Sequence, residues 1–483
     1  MNDSGQGHPT VASAIPLCVD LDGTLLRGNS LFDYALGFLR SNPLGFWRLP
    51  LWLLRGHSVL WCELAARCKL APTYYAYDSA IGEFLRSEHT GRPLVLVTGA
   101  HYTVADSIAT HFGIFAAAHG TTDGTHLTGH QKASFLTTKY GAKTFDYIGD
   151  SAADIPVWQA CRKAFLARPN PQLVRRLSNL GVPLTVIGPP SASSFQGALR
   201  LLRPQQWAKN ILIFVPLILG HAIGDIPLWW NAILAFLSFC AASSSMYVLN
   251  DLLDIHADRE HHRKQFRPLA SGTVSIPAAI GLFFGCLAVS LLLSIPVGLP
   301  FAAITALYIL LVCLYSVHFK TRLTIDIVLL SAFYTLRIFA GSAATGIPIS
   351  FWTLLSSLFF FFSLACLKRC SELSNLILHG KQQAARRAYR TQDLPQLLAI
   401  GIACGVLTVV IIGLYINSPE VRRIYRKPDV LWLLCPLLLA WISRIWIISG
   451  RGNLHEDPVS FALKDRWSLV SGLIGAGILM AAV

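Results

Sequence analysis

Asn250-Asp251-Leu252-Leu253-Asp254-Ile255-His256-Ala257-Asp258 closes an apolar run that begins near residue 228. Its aspartates stand three and four residues apart, so in a helix they share one face. Carboxylates stacked in this way repel one another and need a cation, and an oxygen-only ligand set suits magnesium bridging a diphosphate. A solvated acidic helix end is the plainer reading. Here, however, the segment abuts lipid-compatible sequence on one side and Arg259, Arg263, Lys264 and Arg267 on the other. Ionisable groups at the edge of a membrane-spanning segment are costly and mark functional sites by default.

Working outward, apolar runs of spanning length, roughly 17–25 residues in a helix, recur from about residue 208. Nine can be placed, near 208–223, 228–250, 277–296, 300–317, 324–346, 351–367, 395–416, 429–449 and 467–483. The 483 residues are 53% hydrophobic and 14% charged, too apolar for a wholly soluble protein. The formal net charge of +14 is distributed between the apolar runs rather than gathered in one aromatic-interleaved patch. That pattern predicts anionic headgroups and phosphorylated substrates as partners, and no nucleic acid.

Loops after even-numbered spans carry Arg259 to Arg267, then Lys320 and Arg322, then Lys368, Arg369, Lys381, Arg386, Arg387 and Arg390. By the positive-inside rule these face the cytoplasm. The short loops 297–299 and 347–350 hold no Lys or Arg. Arg422, Arg423, Arg426 and Lys427 break the pattern, which leaves a shifted or re-entrant seventh span open. The expected location is the inner (plasma) membrane, multi-pass, with the N-terminal domain and the active sites on the cytoplasmic side. Eleven cysteines without a CxxC pair predict a reducing face and no disulfide framework. The chain is polar and free of Lys and Arg before Ile15, so no signal peptide is expected there.

Residues 11–190 read differently. Short apolar strands at Ile15–Val19, Leu94–Thr98 and Phe145–Ile148 alternate with helical stretches, as in a soluble α/β unit, and a Pro/Ser/Gly-rich linker lies at 188–205. Asp20-Leu21-Asp22-Gly23-Thr24 follows the first strand directly, at the carboxyl edge where α/β sites form. One carboxylate of such a pair can attack phosphorus while the other protonates the leaving oxygen and later activates water. Thr98 offers a hydroxyl to phosphate, Lys132 a positive charge with Lys139 and Lys143 as nearby alternatives, and Gly149-Asp150-Ser151-Ala152-Ala153-Asp154 metal-binding carboxylates. The stretch Leu31–Trp61 is apolar and aromatic, carries Arg40, Arg48 and Arg55, and is broken by Pro43 and Pro50. It is too interrupted to span, and reads as a cap (about 30–88), either purely intramolecular or also touching the membrane.

These four motifs together resemble the haloacid dehalogenase-like hydrolases. The resemblance implies Asp20 as nucleophile, Asp22 as acid/base, Thr98 and Lys132 as phosphate holders, and Asp150 with Asp154 on the metal side beside Asp20 and Asp22. Residues 206–483 resemble the UbiA-type intramembrane prenyltransferases, all-helical bundles with two aspartate-rich motifs above a lipid-lined cavity. The second motif is reduced here, since Tyr315 to Asp326 holds a single Asp. Within that superfamily five ordered segments look like the decaprenyl-phosphate phosphoribosyltransferases. They are Leu202-Arg203-Pro204-Gln205-Gln206-Trp207-Ala208-Lys209-Asn210, Asn250 to Pro268, Tyr315 to Asp326, Leu367-Lys368-Arg369, and Asp457 to Arg466.

The expected fold is therefore multidomain: an N-terminal α/β Rossmannoid hydrolase domain with a helical cap, and a C-terminal all-α membrane bundle of about nine transmembrane helices. The resemblance implies Mg²⁺-dependent transfer of 5-phosphoribose from phosphoribosyl diphosphate to a polyprenyl phosphate, followed by dephosphorylation of the lipid product. Asp251, Asp254 and Asp258 would hold metal on the diphosphate. Lys209, Asn250, Lys320, Asp326, Arg337, Lys368 and Arg369 would bind substrate and phosphate. Arg337, inside the fifth apolar run, should have an anionic partner, a carboxylate or a substrate phosphate. Prenyl transfer to an aromatic or other small acceptor is the alternative, and a transporter or scaffold bundle the rival from another class. His256, His261 and His262 match no common zinc spacing.

Overall fold

The computed structural model describes residues 15–122, 126–179, 181–189, 194–378, 388–452 and 457–483. Lys381, Arg386 and Arg387 of the basic loop, and residues 190–193 of the linker, lie outside that range. The chain divides into two compact units, one of Met1–Leu201 with Val248–Gly281 and one of Leu202–Tyr247 with Leu282–Val483.

The first unit is built on a six-stranded, all-parallel sheet: β1 (Leu17–Val19), β2 (Leu94–His101), β3 (Phe115–Thr121), β4 (Asp146–Gly149), β5 (Ala164–Ala167) and β6 (Leu184–Ile187). The strand order is β3-β2-β1-β4-β5-β6. Side-chain alternation divides each strand between two cores, as expected for a parallel sheet covered on both faces. Leu17, Val19, Leu94, Leu96, Ile148 and Phe165 enter the core that also takes in Tyr34, Phe38, Trp52 and Trp61 of the cap. Cys18, Val95, Val97, Tyr147 and Leu166 enter the other, with Leu136 and Trp158. The strand order reverses between β1 and β4, and the carboxyl ends of these two neighbours frame the crevice where open α/β sheets bind ligands. Between β1 and β2 stand the helices Ser30–Ser41, Arg48–Arg55, His57–Arg67 and Ser79–His89, in the region expected to form the cap.

Among the described residues, seven helices are long and apolar enough to cross a membrane: Ile226–Glu260, Ile276–Ser294, Leu299–Val317, Ile325–Thr345, Phe351–Leu378, Thr391–Ile416 and Pro428–Gly450. The protein is thus a multi-pass membrane protein. Two of the nine expected spans are revised. The run at 208–223 is a tight 3₁₀ stretch, Pro204–Phe214, followed by the short helix Val215–Leu219, because Pro204 and Pro216 remove backbone donors and Gly220 ends the helix. The last run forms Arg466–Ala482, apolar but shorter than the other seven.

Two helices also outlast their apolar windows. Phe351–Leu378 runs through Lys368 and Arg369, which are therefore helical rather than in a loop, and the helix from Ile226 continues unbroken to Glu260. The seventh expected span is one continuous helix, Leu394–Ile416, and the basic residues after it sit on the short helix Pro419–Ile424 and the turn beyond. In the second unit Gly341 marks a close approach: a Cβ there would overlap the backbone of Ile213, so only glycine lets these two segments touch.

Candidate functional site

The strand ends of the first unit assemble a compact polar cluster. Asp20 follows β1, and Asp150 and Asp154 follow β4; one carboxylate oxygen from each lies within 4.8 Å of the others. Lys132, on helix Gly129–Tyr140, donates to Asp20 Oδ1 at 2.7 Å and to the Tyr147 hydroxyl at 3.0 Å. Tyr147 in turn donates to Asp154 Oδ1 at 2.8 Å, while Ser151 caps Asp154 Oδ2 through its hydroxyl at 3.2 Å. Of the alternative lysines, Lys139 meets His119 and Lys143 donates to the Gln159 carbonyl. Geometry therefore brings Lys132, and neither neighbour, to Asp20.

Asp22 is set by the first turn of the cap. Its two oxygens accept the Ser30 amide at 2.6 Å and the Ser30 hydroxyl at 3.0 Å. Gly23, at φ +79°, makes the tight turn directly after Asp22, and a Cβ on it would overlap Asp150. Thr98 is fully buried inside β2, which continues three residues beyond the expected end to His101, and its hydroxyl oxygen accepts the Ala100 amide at 3.0 Å. Tyr147 and Ser30 were missed from the sequence.

The electrostatics favour a cation. Burial pushes the Asp20 carboxyl up to about 8; Lys132 opposes the shift, and Asp154 and Asp150 add to it. Asp150 rises to about 6, chiefly through burial and then Asp154. Burial alone would lower the Lys132 ammonium, but Asp20 and Asp154 outweigh it. One lysine against three clustered carboxylates leaves excess negative charge, and the oxygen-only donor set fits a hard divalent cation.

Asp251, Asp254 and Asp258 lie on the continuous helix that ends at Glu260. Asp251 and Asp258, both buried, converge on one guanidinium nitrogen: Arg267 Nη1 stands 3.1 Å from Asp251 and 2.6 Å from Asp258. The two side chains thus point at one cation position, and their oxygen donors fit magnesium as well as an arginine. Asn250 is half-buried one residue earlier.

The next turn ties this helix end to the cap within the first unit. Arg259 Nη1 donates to Asp33 Oδ1 and to the Tyr74 carbonyl, both at 2.7 Å, and His256 stacks on Tyr74. Burial pushes the Asp33 carboxyl up to about 6 against the pull of Arg259, with Asp22 adding to the rise. Removing one member of a buried pair leaves an uncompensated charge. Arg259→Ala is expected to destabilise the first unit by about 3–5 kcal/mol. Asp33→Asn in the same chain should recover part of that loss in a double-mutant cycle read by urea unfolding.

In the second unit the remaining basic candidates form two networks. Asp326 and Arg369, both buried, neutralise each other: Arg369 Nε donates to Asp326 Oδ2 at 2.5 Å and Nη2 to Oδ1 at 3.1 Å, with Tyr315 donating to Oδ1 at 2.7 Å. Arg369 also pairs with Glu372. Lys320 is buried on the turn Phe319–Thr321. The second network gathers Lys209 and Lys368 on Asp457, at 2.9 and 3.3 Å, with the Tyr334 hydroxyl donating to the same carboxylate at 3.3 Å. Burial alone would raise the Asp457 carboxyl, but Lys368 and Lys209 outweigh it and hold it well below the usual range. Arg337 is held by neutral acceptors, Asn210 Oδ1 at 2.8 Å, the Phe333 carbonyl and the Tyr308 hydroxyl. A carboxylate partner was the alternative expected from the sequence. Nothing in the segment Asp457 to Arg466 announces this role for Asp457, because it depends on Lys209, 248 positions away.

Seven spanning helices, one of them ending in buried carboxylates, define a multi-pass membrane protein with an acidic helix end. The UbiA prenyltransferase family model matches residues 211–416. The decaprenyl-phosphate phosphoribosyltransferase of Mycolicibacterium smegmatis is 30% identical over 61% of this chain and 95% of that protein. The chain belongs to the UbiA prenyltransferase family. The nodulation protein NoeC of Azorhizobium caulinodans is 34% identical over 56% of this chain and 87% of its own length. The uncharacterized protein y4nM of Sinorhizobium fredii is 33% identical over 97% of this chain and 91% of its own, so that match spans both units.

Proposed function

We propose that this UbiA-family transferase moves 5-phosphoribose from phosphoribosyl diphosphate to a polyprenyl phosphate. We further propose that its N-terminal unit is a haloacid dehalogenase-like phosphohydrolase that removes the 5-phosphate from the lipid-linked product. The observation that carries the first reading is the charge of the Asp457 network. Lys209, Lys368 and Arg337 supply three buried or half-buried cations against the single carboxylate of Asp457. Surplus positive charge in an apolar setting calls for an anion, and both a sugar 5-phosphate and a lipid phosphate provide one. The similarity to a protein named decaprenyl-phosphate phosphoribosyltransferase supports the same choice.

In this reading Asp251, Asp254 and Asp258 would hold magnesium for the donor diphosphate, and Asn250 would help orient it. Lys209, Lys368 and Arg337 hold phosphate oxygens. Asp326, Lys320 and Arg369 brace the helix ends that carry these groups. In the N-terminal unit Asp20, Asp150 and Asp154 hold the metal beside Asp22. At both sites magnesium would neutralise phosphate charge, which eases attack at one and departure of diphosphate at the other.

Asp20 attacks the phosphomonoester phosphorus, Asp22 protonates the leaving ribose oxygen, and Asp22 then takes a proton from the water that frees phosphate from Asp20. Thr98 and Lys132 bind the transferring group. Ser30 keeps Asp22 aimed during both proton transfers. The sites act at the cytoplasmic face of the inner membrane, and tethering raises the concentration of the first product at the second site.

The test is an incorporation assay on the purified chain in lipid nanodiscs. Labelled phosphoribosyl diphosphate with polyprenyl phosphate is expected to yield labelled lipid, whereas labelled prenyl diphosphate with 4-hydroxybenzoate is expected to yield none. The reverse pattern would replace this reading with prenyl transfer to an aromatic acceptor. Turnover in neither arm, with intact binding of the bundle to lipid, would favour a scaffold.

A further inference from the structure

The first unit carries an apolar face that its own core leaves uncovered. The turn Pro43–Gly45 and the helix Arg48–Arg55 follow the first cap helix. Trp52 points inward, 7% exposed, and packs on Phe38 with ring centroids 5.3 Å apart, while Arg67 lies over its other side at 5.0 Å. Fixing Trp52 inward turns the opposite side of the helix out. Trp47, Leu51 and Leu54 stand at i, i+4 and i+7, one helical face, and are 51%, 48% and 84% exposed. Leu44 and Phe46, on the approach to the helix, are 84% and 64% exposed. Five large apolar side chains exposed side by side in this way mark an interaction site.

Its charge identifies the partner. Arg40, Arg48 and Arg55 are exposed around the apolar residues. Between Asp33 and Glu63 the chain contains no carboxylate. A second copy of this face would bring like charges together, so the face is not self-complementary. An apolar centre ringed by arginines matches the boundary between headgroups and acyl chains of a bilayer rich in anionic lipid. The seven spanning helices of the same chain keep a bilayer at hand.

We propose that the turn Pro43–Gly45 and the helix Arg48–Arg55 form a membrane-surface anchor. Trp47, Leu51, Leu54, Leu44 and Phe46 enter the interfacial region, and Arg40, Arg48 and Arg55 engage anionic headgroups. The anchor belongs to the cap, whose first helix also supplies Ser30 to Asp22, so bilayer contact and the hydrolase acid/base share one structural element. This holds whatever the substrates of the two sites prove to be.

The full chain carrying benzoylphenylalanine in place of Trp47, or separately of Leu54, is placed in nanodiscs of phosphatidylglycerol and irradiated. The adducts are then identified by mass spectrometry. Tyr102, 52% exposed elsewhere in the same unit, serves as the control position. Lipid adducts at 47 and 54 should exceed those at 102 by about tenfold, and should fall severalfold in phosphatidylcholine nanodiscs. The triple variant Arg40→Glu, Arg48→Glu, Arg55→Glu should show the same fall in phosphatidylglycerol. All three side chains are exposed, so the fold tolerates the change. Peptide adducts at both positions, whether from the same chain or a second copy, would overturn the proposal. So would lipid yields no higher than at Tyr102.

Discussion

Asp251→Asn is expected to lower kcat/KM for phosphoribosyl transfer by about a hundred- to a thousandfold, and Asp254→Asn by a similar factor. Asparagine keeps the shape of Asp251 and can still accept the hydrogen bond from Arg267, which also retains Asp258 at 2.6 Å. The helix end should therefore stay folded, and the loss should report charge. If both residues serve one metal, as proposed, the double variant should lose little more than either single one. Initial rates with labelled donor in nanodiscs check this. Activity within threefold of wild type in both single variants would remove these carboxylates from the reaction.

Asp20→Asn is expected to abolish phosphate release from the lipid-linked product, by about 10⁴-fold or more, while leaving formation of that product intact. The structure gives the reason for the large effect. Asp20 is the carboxylate of its cluster that Lys132 contacts at 2.7 Å, and it stands directly at the end of β1, where the nucleophile is proposed to act. Lys132 would remain paired with Asp154, 3.7 Å away, so the site should not collapse. Free phosphate, measured continuously alongside labelled lipid, separates the two steps. Unchanged phosphate release in the variant would show that the N-terminal unit does not act on this product.

The parts of this account that were legible from sequence are those in which a short motif follows directly on a strand or closes an apolar run. Asp20 and Asp150 each follow directly on a buried strand, and a parallel sheet brings such ends together whatever the intervening loops do. Asp251 and Asp258 were readable for the same local reason, since helical spacing alone aligns them. Helix ends were less legible. An apolar window stops at the first charge, whereas the backbone hydrogen bonds of Phe351–Leu378 continue through Lys368 and Arg369 once these side chains find Asp457 and Asp326. The stretch at 208–223 misled in the opposite sense, because its hydropathy is adequate but Pro216 divides it and Gly220 ends the short helix that follows.

Roles that depend on distant pairing were not readable at all. Asp457 matters through lysines at 209 and 368, and Tyr147 through Lys132 and Asp154 across a sheet. The placing of Val248–Gly281 in the first unit rests on contacts such as Arg259 to Asp33, 226 positions apart. No periodicity in either segment announces that contact.

The most direct test of the central claim is the mass of the lipid formed when the purified chain is given polyprenyl phosphate, phosphoribosyl diphosphate and magnesium. The account predicts that Asp20→Asn accumulates polyprenyl phosphate extended by one phosphoribosyl group, and that wild type converts it to the species lacking one phosphate. An unextended lipid in both reactions, with the donor intact, would contradict it.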